Sequence, residues 1–275
     1  MSDILKWGFA TVLMGGTKCP MAENCVDNSV LVETLASWQE FCQKIPTLTS
    51  KRGYVWRGQK KDEDNGWFLQ SSFDREGKSK DRGDRKTRLE QHLANFKKEM
   101  DKHYPNVLPK DDIDIWALGQ HYGLKTPLLD WSLSPYKAAY FAFIQWTPND
   151  PTDRYRYIYA LNRSVERLMS KTEKASEILR ERAVFFIDQV THVNPRFSAQ
   201  EGILTKAFHG NKIEEYVKIF ARKRPGEARL VKFRIPTQYR DEVLRELHQM
   251  GIDHTSLLLD FRDVVDRVNS RLGKR

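Results

Sequence analysis

The sequence predicts an α+β domain rather than a doubly wound parallel sheet, and three observations carry that expectation. Strand-like and helix-like segments follow one another without the regular alternation that a parallel sheet with crossover helices demands. Two stretches, "YRYIYAL" at 155–161 and "ARLVKFRI" at 228–235, alternate with the period of two expected of a strand. The chain of 275 residues, 40% hydrophobic and 30% charged, has the composition of a folded protein with a sizeable core.

From the N-terminus, residues 28–46 read as a helix, with Leu31, Leu35, Trp38 and Phe41 or Cys42 near one face, Ser29 as N-cap and Pro46 as stop. Residues 53–58, "GYVWRG", read as a short aromatic strand closed by Gly58. The polar, glycine-punctuated run from Gln59 to Arg85 is expected to be loop. Helical spacing resumes over 86–103 through Leu89, His92 or Leu93, Phe96 and Met100, and Pro105 ends it. A helix follows from Ile113 to Tyr122, its start favoured by the carboxylates of Asp111 and Asp112. Leu128 to Trp131 is a short strand, and Ser134-Pro135 opens a helix that is apolar almost all round, with Ser as N-cap and Pro at the first helical position. The expected order then runs strand at 155–161, charged helix at 164–181, strand at 183–190 and strand at 201–205. Residues 212–221 fit either strand or helix, 228–235 is a strand, and two helices, 238–250 and 256–272, hinge at Gly251. The division is an N-terminal helical segment, 1–46, before an α+β domain, 47–275. No internal repeat interrupts it.

The charge is uneven. Net +9 with a pI near 9.3 concentrates at 75–88 and 218–234, and such patches release counterions on meeting phosphates. Arg82, Arg85, Lys86 and Arg88 are the candidate nucleic-acid contacts; an ordinary solvated surface is the competing explanation on charge alone. Cys19, Cys25 and Cys42 have neither paired spacing nor a histidine cluster, so neither zinc nor a disulfide framework is expected and a reducing cytoplasm is. The apolar run 8–16 is far too short for a membrane span and lacks a convincing cleavage pattern, so no leader and no membrane partner are expected. Asp111 and Asp112 near His103 lack the spacing of a metal site, and no glycine-rich phosphate loop occurs.

The candidate site comes from "LGQHYGLKTPLLDWSLSPYKAAYFAF" at 118–143, a greasy segment that nevertheless carries His121, Tyr122, Asp130, Trp131 and Ser132. Polar groups between two apolar elements must be hydrogen-bonded or serve a ligand, because burying them unpaired costs roughly 2–7 kcal/mol each. Arg57, on the strand before Gly58, either pairs with a carboxylate or clamps a phosphate with its planar fork, and Gly58 would let a ligand approach the backbone.

"YVWRGQ", "QHYGLKTPLLDW" with the following "AAYFAF", and "FSAQEGILT" at 197–205 resemble, in that order, the motifs of the FRG domain, over roughly residues 45–262. The third motif departs from the family's pattern at Glu201 and Leu204. The same order is similar, more distantly, to arginine-type mono-ADP-ribosyltransferases, which present an Arg on the first strand, a Ser-Thr-Ser strand followed by a helix with the same Ala and Phe-Ala pattern, and a late Glu. Asp130-Trp131-Ser132 keeps only the last serine of that strand.

This resemblance implies a mixed or antiparallel split β-sheet core with flanking helices, NAD as co-substrate and no metal. It implies that Arg57 grips the diphosphate, Ser132 supports the ribose, Tyr122 or Trp131 walls the nicotinamide, and Glu201, with Gln200 beside it, stabilises an oxocarbenium-like transition state. His121 would orient a ribose hydroxyl or the late carboxylate, and Asp130 would hold Arg57. The function expected is NAD-dependent mono-ADP-ribosyl transfer by a toxin or anti-phage effector, with nucleic acid as acceptor and RNA favoured, and with room for a neutralising partner protein. The alternative is a non-catalytic nucleotide or nucleic-acid binding module.

Overall fold

In a computed structural model of the chain, residues 30–49, 53–76, 82–147, 153–165, 184–188, 195–207, 210–221 and 229–257 are described. Their centre is a seven-stranded mixed sheet. In chain order the strands are β1 (Val30–Thr34), β2 (Tyr54–Gln59), β3 (Leu128–Ser132), β4 (Tyr155–Asn162), β5 (Val184–Ile187), β6 (Gly202–Ala207) and β7 (Leu230–Pro236). They lie side by side as β1-β7-β4-β2-β3-β6-β5, with β1 parallel to β7 and every other neighbour antiparallel. The α+β expectation holds.

The helices are α1 (Trp38–Thr49), α2 (Ser72–Glu76), α3 (Arg82–His103), α4 (Asp112–His121), α5 (Pro135–Ile144), α6 (Pro195–Ala199), α7 (Ile213–Ala221), α8 (Arg240–Gln249) and α9 (His254–Leu257). Helices α1, α5 and α8 cover one face of the sheet, where Trp38, Phe41, Trp56, Ala139, Phe143, Phe233 and Val243 form a buried cluster. On the opposite face Leu69, Tyr159, Leu161, Val217 and Leu230 pack beneath α7 and the segment leading into α2. Leu93, Ile115, Trp116, Leu128 and Leu204 make a third cluster where α3 and α4 meet β3 and β6.

Local signals explain several starts. Ser134 Oγ accepts from Lys137 N at 3.3 Å with Pro135 at the first helical position, and Asp111 accepts from Ile113 N at 2.7 Å. Helix α1 begins at a capping box: Ser37 Oγ accepts from Glu40 N, and Glu40 reaches back to Ala36 N at 2.8 Å.

Three expectations are corrected. Residues 30–34 are a strand, not the first turns of a helix, because they pair in register with Leu230–Arg234. Pro46 lies inside α1 rather than ending it. Strand β1 pairs with β7, and α1 contributes to the core cluster shared with α5 and α8. The run 59–85, expected as loop, contains α2, a 3-10 turn at Glu63–Asn65 and the start of α3. Residues 212–221, left open, are the helix α7. Ser29, the helix at 164–181 save its first two residues, and nearly all of 256–272 lie outside the described residues, as do Cys19 and Cys25.

Candidate functional site

The site is organised by a parting of the sheet. Strand β2 matches β4 over six residue pairs, from Tyr54 with Asn162 to Gln59 with Tyr157. On its other side it meets β3 at one pair, Trp56 with Ser132, and the two strands then diverge. Side chains alternate along a strand. Trp56 and Gly58 therefore face α5, and Arg57 faces the other way, towards Tyr159 and the segment before α2. Its guanidinium fills the divergence: Nη1 donates to the main-chain oxygen of Asp130 at 2.7 Å, and the buried Nε has no hydrogen-bond partner.

Asp130 is fixed from the end of α4. Gln120 Nε2 donates to Asp130 Oδ1 at 2.5 Å, and Gln120 Oε1 accepts from the hydroxyl of Thr126. Thr126 is in turn held by α2, whose Phe73 N donates to Thr126 O at 3.1 Å. Arg57 is partly exposed and Asp130 is exposed, so both side chains reach solvent at the divergence. Loss of water there lowers the pKa of Arg57, with Asp130 opposing the shift and Arg75 adding to it. The same burial raises the Asp130 carboxyl above its usual range, opposed by Arg57 and by the Gln120 hydrogen bond.

Further groups complete the hollow. Arg75 is exposed and close enough to act on both Arg57 and Asp130. Glu214, at the start of α7, accepts from Leu69 N at 2.9 Å through one oxygen, while its other oxygen is buried without a partner. Burial raises its pKa. Tyr159, directly across from Arg57 on β4, is 1% exposed and donates to Glu63 at 3.3 Å; burial, then Glu63 and Glu214, push its phenol far above the ordinary range. Beneath it Lys232 Nζ donates to Asp62 at 3.0 Å and to Glu63 at 2.5 Å. Burial opposes ionisation of Asp62, but the Lys232 bond and charge outweigh it and hold that carboxyl below its usual range.

Of the residues expected from sequence, Arg57 and Asp130 are brought together, and His121 and Tyr122 stand next to Gln120 at the end of α4. Tyr122 is 80% exposed, its ring edge-on to His121 with centroids 4.7 Å apart. The others are placed elsewhere. Gly58 does not admit a ligand: a Cβ there would sit 1.8 Å from Ala138 O, so its missing side chain serves the close approach of α5. Trp131 is core rather than pocket wall, 3% exposed with Nε1 donating to Thr205 Oγ1 at 2.8 Å. Ser132 Oγ donates to Gln200 O at 2.7 Å and accepts from Ser134 N at 3.0 Å, which ties the end of β3 to the loop before β6 and to the cap of α5. Gln200 Nε2 donates to Leu257 O. Glu201 is exposed, has the left-handed φ of 49°, and accepts from Lys137 Nζ at 2.8 Å on the α5 side.

The basic patch changes in the same way. Arg85 makes two bonds to Asp74, at 2.6 and 2.9 Å, and is largely enclosed, so it holds α3 against α2. Lys86 and Arg88 face acidic neighbours one turn away, Glu90 and Asp84, and Arg88 also stacks over Phe73. The side chain of Arg82 lies outside the described residues. Gln120, Arg75 and Glu214 were not singled out from the sequence; Gln120 sits inside the second motif but carries no chemical signature of its own.

The family model of the FRG domain matches residues 52–151, which span β2 to α5 and hold Arg57, Gln120 and Asp130; the third motif, at 197–205, lies beyond the matched segment. No curated protein and no solved structure matches the chain. Among the described residues no cluster of His, Cys, Asp and Glu is arranged to hold a metal ion, and no helix is long and apolar enough to cross a membrane.

Proposed function

We propose that the hollow at the β2–β3 divergence binds the diphosphate of NAD and that the chain transfers ADP-ribose to a nucleic acid. The observation that carries this is Arg57, a partly exposed guanidinium on a rigid strand where β2 and β3 part, with one buried nitrogen unpartnered. A planar fork so placed suits a diphosphate better than a point charge would. The strand order adds support, since β2 with Arg57, β3 with Ser132 and β6, led by Glu201, are consecutive neighbours.

In the reaction the bond from ribose C1′ to the nicotinamide nitrogen breaks, with the electron pair leaving on nicotinamide. The acceptor's nucleophilic atom bonds to C1′, and its proton passes to a carboxylate or to water. Positive charge develops on the ribose in between, so the chain must present a carboxylate there. Glu201 serves if it leaves Lys137. With Glu201 exposed, that ion pair is worth about 0–1 kcal/mol, so the exchange is inexpensive.

The same contact favours a second reading. Glu201 turned towards α5, together with a Ser132 hydroxyl occupied by Gln200 and Ser134, fits a module that binds a nucleotide without reacting. Calorimetry with NAD, followed by incubation of labelled NAD with RNA, DNA and protein, separates the two. The transfer reading expects Arg57→Lys to weaken NAD binding at least about tenfold, because lysine lacks the fork. It expects Glu201→Gln to bind NAD and transfer nothing. Binding with no labelled acceptor leaves the module; no NAD binding by the folded chain refutes both for this ligand.

A further inference from the structure

Three residues beyond Arg57, the continuation of β2 opens into a second hollow of about 620 Å³, lined by Lys60, Lys61, Trp67, Ile144, Gln145, Trp146 and Thr147. Two of its walls are indoles left in water. Trp67 is 40% exposed and Trp146 is 56% exposed, in a chain whose other described tryptophans, Trp38, Trp56, Trp116 and Trp131, are at most 3% exposed. A tryptophan left in solvent forgoes a large hydrophobic stabilisation, so two facing one hollow indicate a surface that receives something flat.

Both rings are held in place. Trp67 N donates to Asp62 O at 2.9 Å, and Asp62 is locked beneath the sheet by Lys232. Trp146, just past the end of α5, lies under the guanidinium of Arg240, 5.5 Å from the ring centroid. Lys61 adds a basic side chain to the lining, whereas Lys60 is buried, donating to Thr147 Oγ1 at 2.6 Å with Asp153 Oδ2 at 3.9 Å. The end of α5 would ordinarily present bare carbonyls to this space and repel a phosphate. Here Arg240 covers Phe143 O at 3.1 Å, and Arg156, itself fully buried, covers Gln145 O at 2.9 Å. The last carbonyls of α5 are therefore covered by two guanidinium groups, of which Arg156 is itself paired with Asp153.

From two exposed indoles, Lys61 and a helix end whose carbonyls are covered, we infer that this groove binds single-stranded nucleic acid, with bases stacked on Trp67 and Trp146 and the backbone running past Lys61. Stacking on aromatic rings with phosphates along lysines is the general chemistry of single-strand recognition, and a duplex, whose bases are already stacked, has no face to offer the rings. The volume lies within the range of about 300–1,000 Å³ typical of ligand sites. Three extended residues, about 10 Å of strand, separate Lys60 from Arg57, which faces away from α5, so the groove is a surface separate from the Arg57 site. The inference rests on the nucleic-acid part of the function proposed above and replaces the α3 patch as the contact surface; it does not depend on NAD.

The test is fluorescence anisotropy with a labelled oligouridylate, single-stranded and annealed to its complement, in the absence of NAD. Trp67→Ala and Trp146→Ala should each weaken single-strand binding about tenfold, and Trp146→Phe should restore most of it. Lys61→Gln should flatten the dependence of log affinity on log salt by about 0.7. The tryptophan variants should leave NAD binding unchanged. Tryptophan-dependent binding without any ADP-ribosyl transfer supports the groove and counts against the transferase. An unmoved affinity in both alanine variants, a preference for duplex, or no binding even at low salt while an acidic peptide occupies the groove, would each overturn the inference.

Discussion

Gly58→Ala separates a structural from a ligand-binding role for the glycine of the "YVWRGQ" strand. A methyl group at this position would lie 1.8 Å from Ala138 O and 2.6 Å from Ala142 N, where ordinary contacts begin at 3.4 Å. Helix α5 would have to retreat by about 1.5 Å, and close-packed interiors do not yield that distance freely. Both obstructing atoms are helix backbone, not the tips of flexible side chains. Ala138, Ala139, Ala142 and Phe143 are at most 1% exposed, and the end of the helix is tied to α8 by Arg240. Overpacking usually costs about 1–3 kcal/mol, and a backbone clash with a pinned helix belongs at the upper end, about 3 kcal/mol. In a domain whose total stability is about 5–15 kcal/mol, that is a large fraction. Urea unfolding followed by tryptophan fluorescence should show a lower midpoint with an unchanged slope. A midpoint equal to that of the unaltered chain, with lost nucleotide binding, would refute the packing argument and return Gly58 to the ligand.

Two further outcomes are expected. Arg85→Ala should lower the stability by about 3 kcal/mol, because it strands Asp74 in a partly buried site, and should leave the salt dependence of nucleic-acid binding unaltered; a changed salt slope at unchanged stability would restore the α3 patch as a contact surface. Asp130 predicts a pH effect: its carboxyl is raised by burial, and a bound diphosphate raises it further, so binding takes up a proton and NAD affinity should increase as pH falls towards that pKa. Asp130→Asn, which keeps the oxygen that Gln120 bonds, should bind more tightly at neutral pH with a flatter pH profile in titration calorimetry, and an identical profile would remove Asp130 from the site.

Local signals carried much of the architecture. Ser134-Pro135 marked the start of α5, Asp111 the start of α4, and the alternation of β4 and β7 marked two central strands, because each depends on neighbours within a few residues. What depended on distant pairing was lost. Val30–Thr34 is made a strand by Leu230–Arg234, two hundred residues away, and the heptad-like spacing of Leu31, Leu35 and Trp38 suggested a helix instead. The β-branched Val30 and Val32 were the available hint. Pro46 reads as a stop in the sequence, whereas the helix runs on past it to Thr49, whose hydroxyl donates back to Ile45 O at 3.0 Å.

The candidate site was legible in part for a related reason. Arg57 and Asp130 were both singled out, and the structure joins them. Asp130, Trp131 and Ser132 are adjacent in sequence, but successive residues of a strand point to opposite faces, so Trp131 enters the core beneath the sheet while its neighbours do not. Gln120 acquires its role only when the end of α4 closes over β3, a juxtaposition that no spacing along the chain encodes.

The same alternation explains why three residues make an informative motif. Trp56 fills the core under α1 and α5, Arg57 turns into the divergence with β3, and Gly58 turns back to let α5 lie against the strand. Each residue type is tolerable only in its own register. A slip of one position would drive a guanidinium into the α5 interface, strand it there without water, and leave the hollow without its cation. The divergence needs the arginine as well: with β2 no longer pairing beyond Trp56, Asp130 O faces the gap, and Arg57 Nη1 supplies the hydrogen bond that a strand neighbour would otherwise give. Packing and site are thus specified by the same three residues, and a change that parts the strands further must also find another donor for that oxygen.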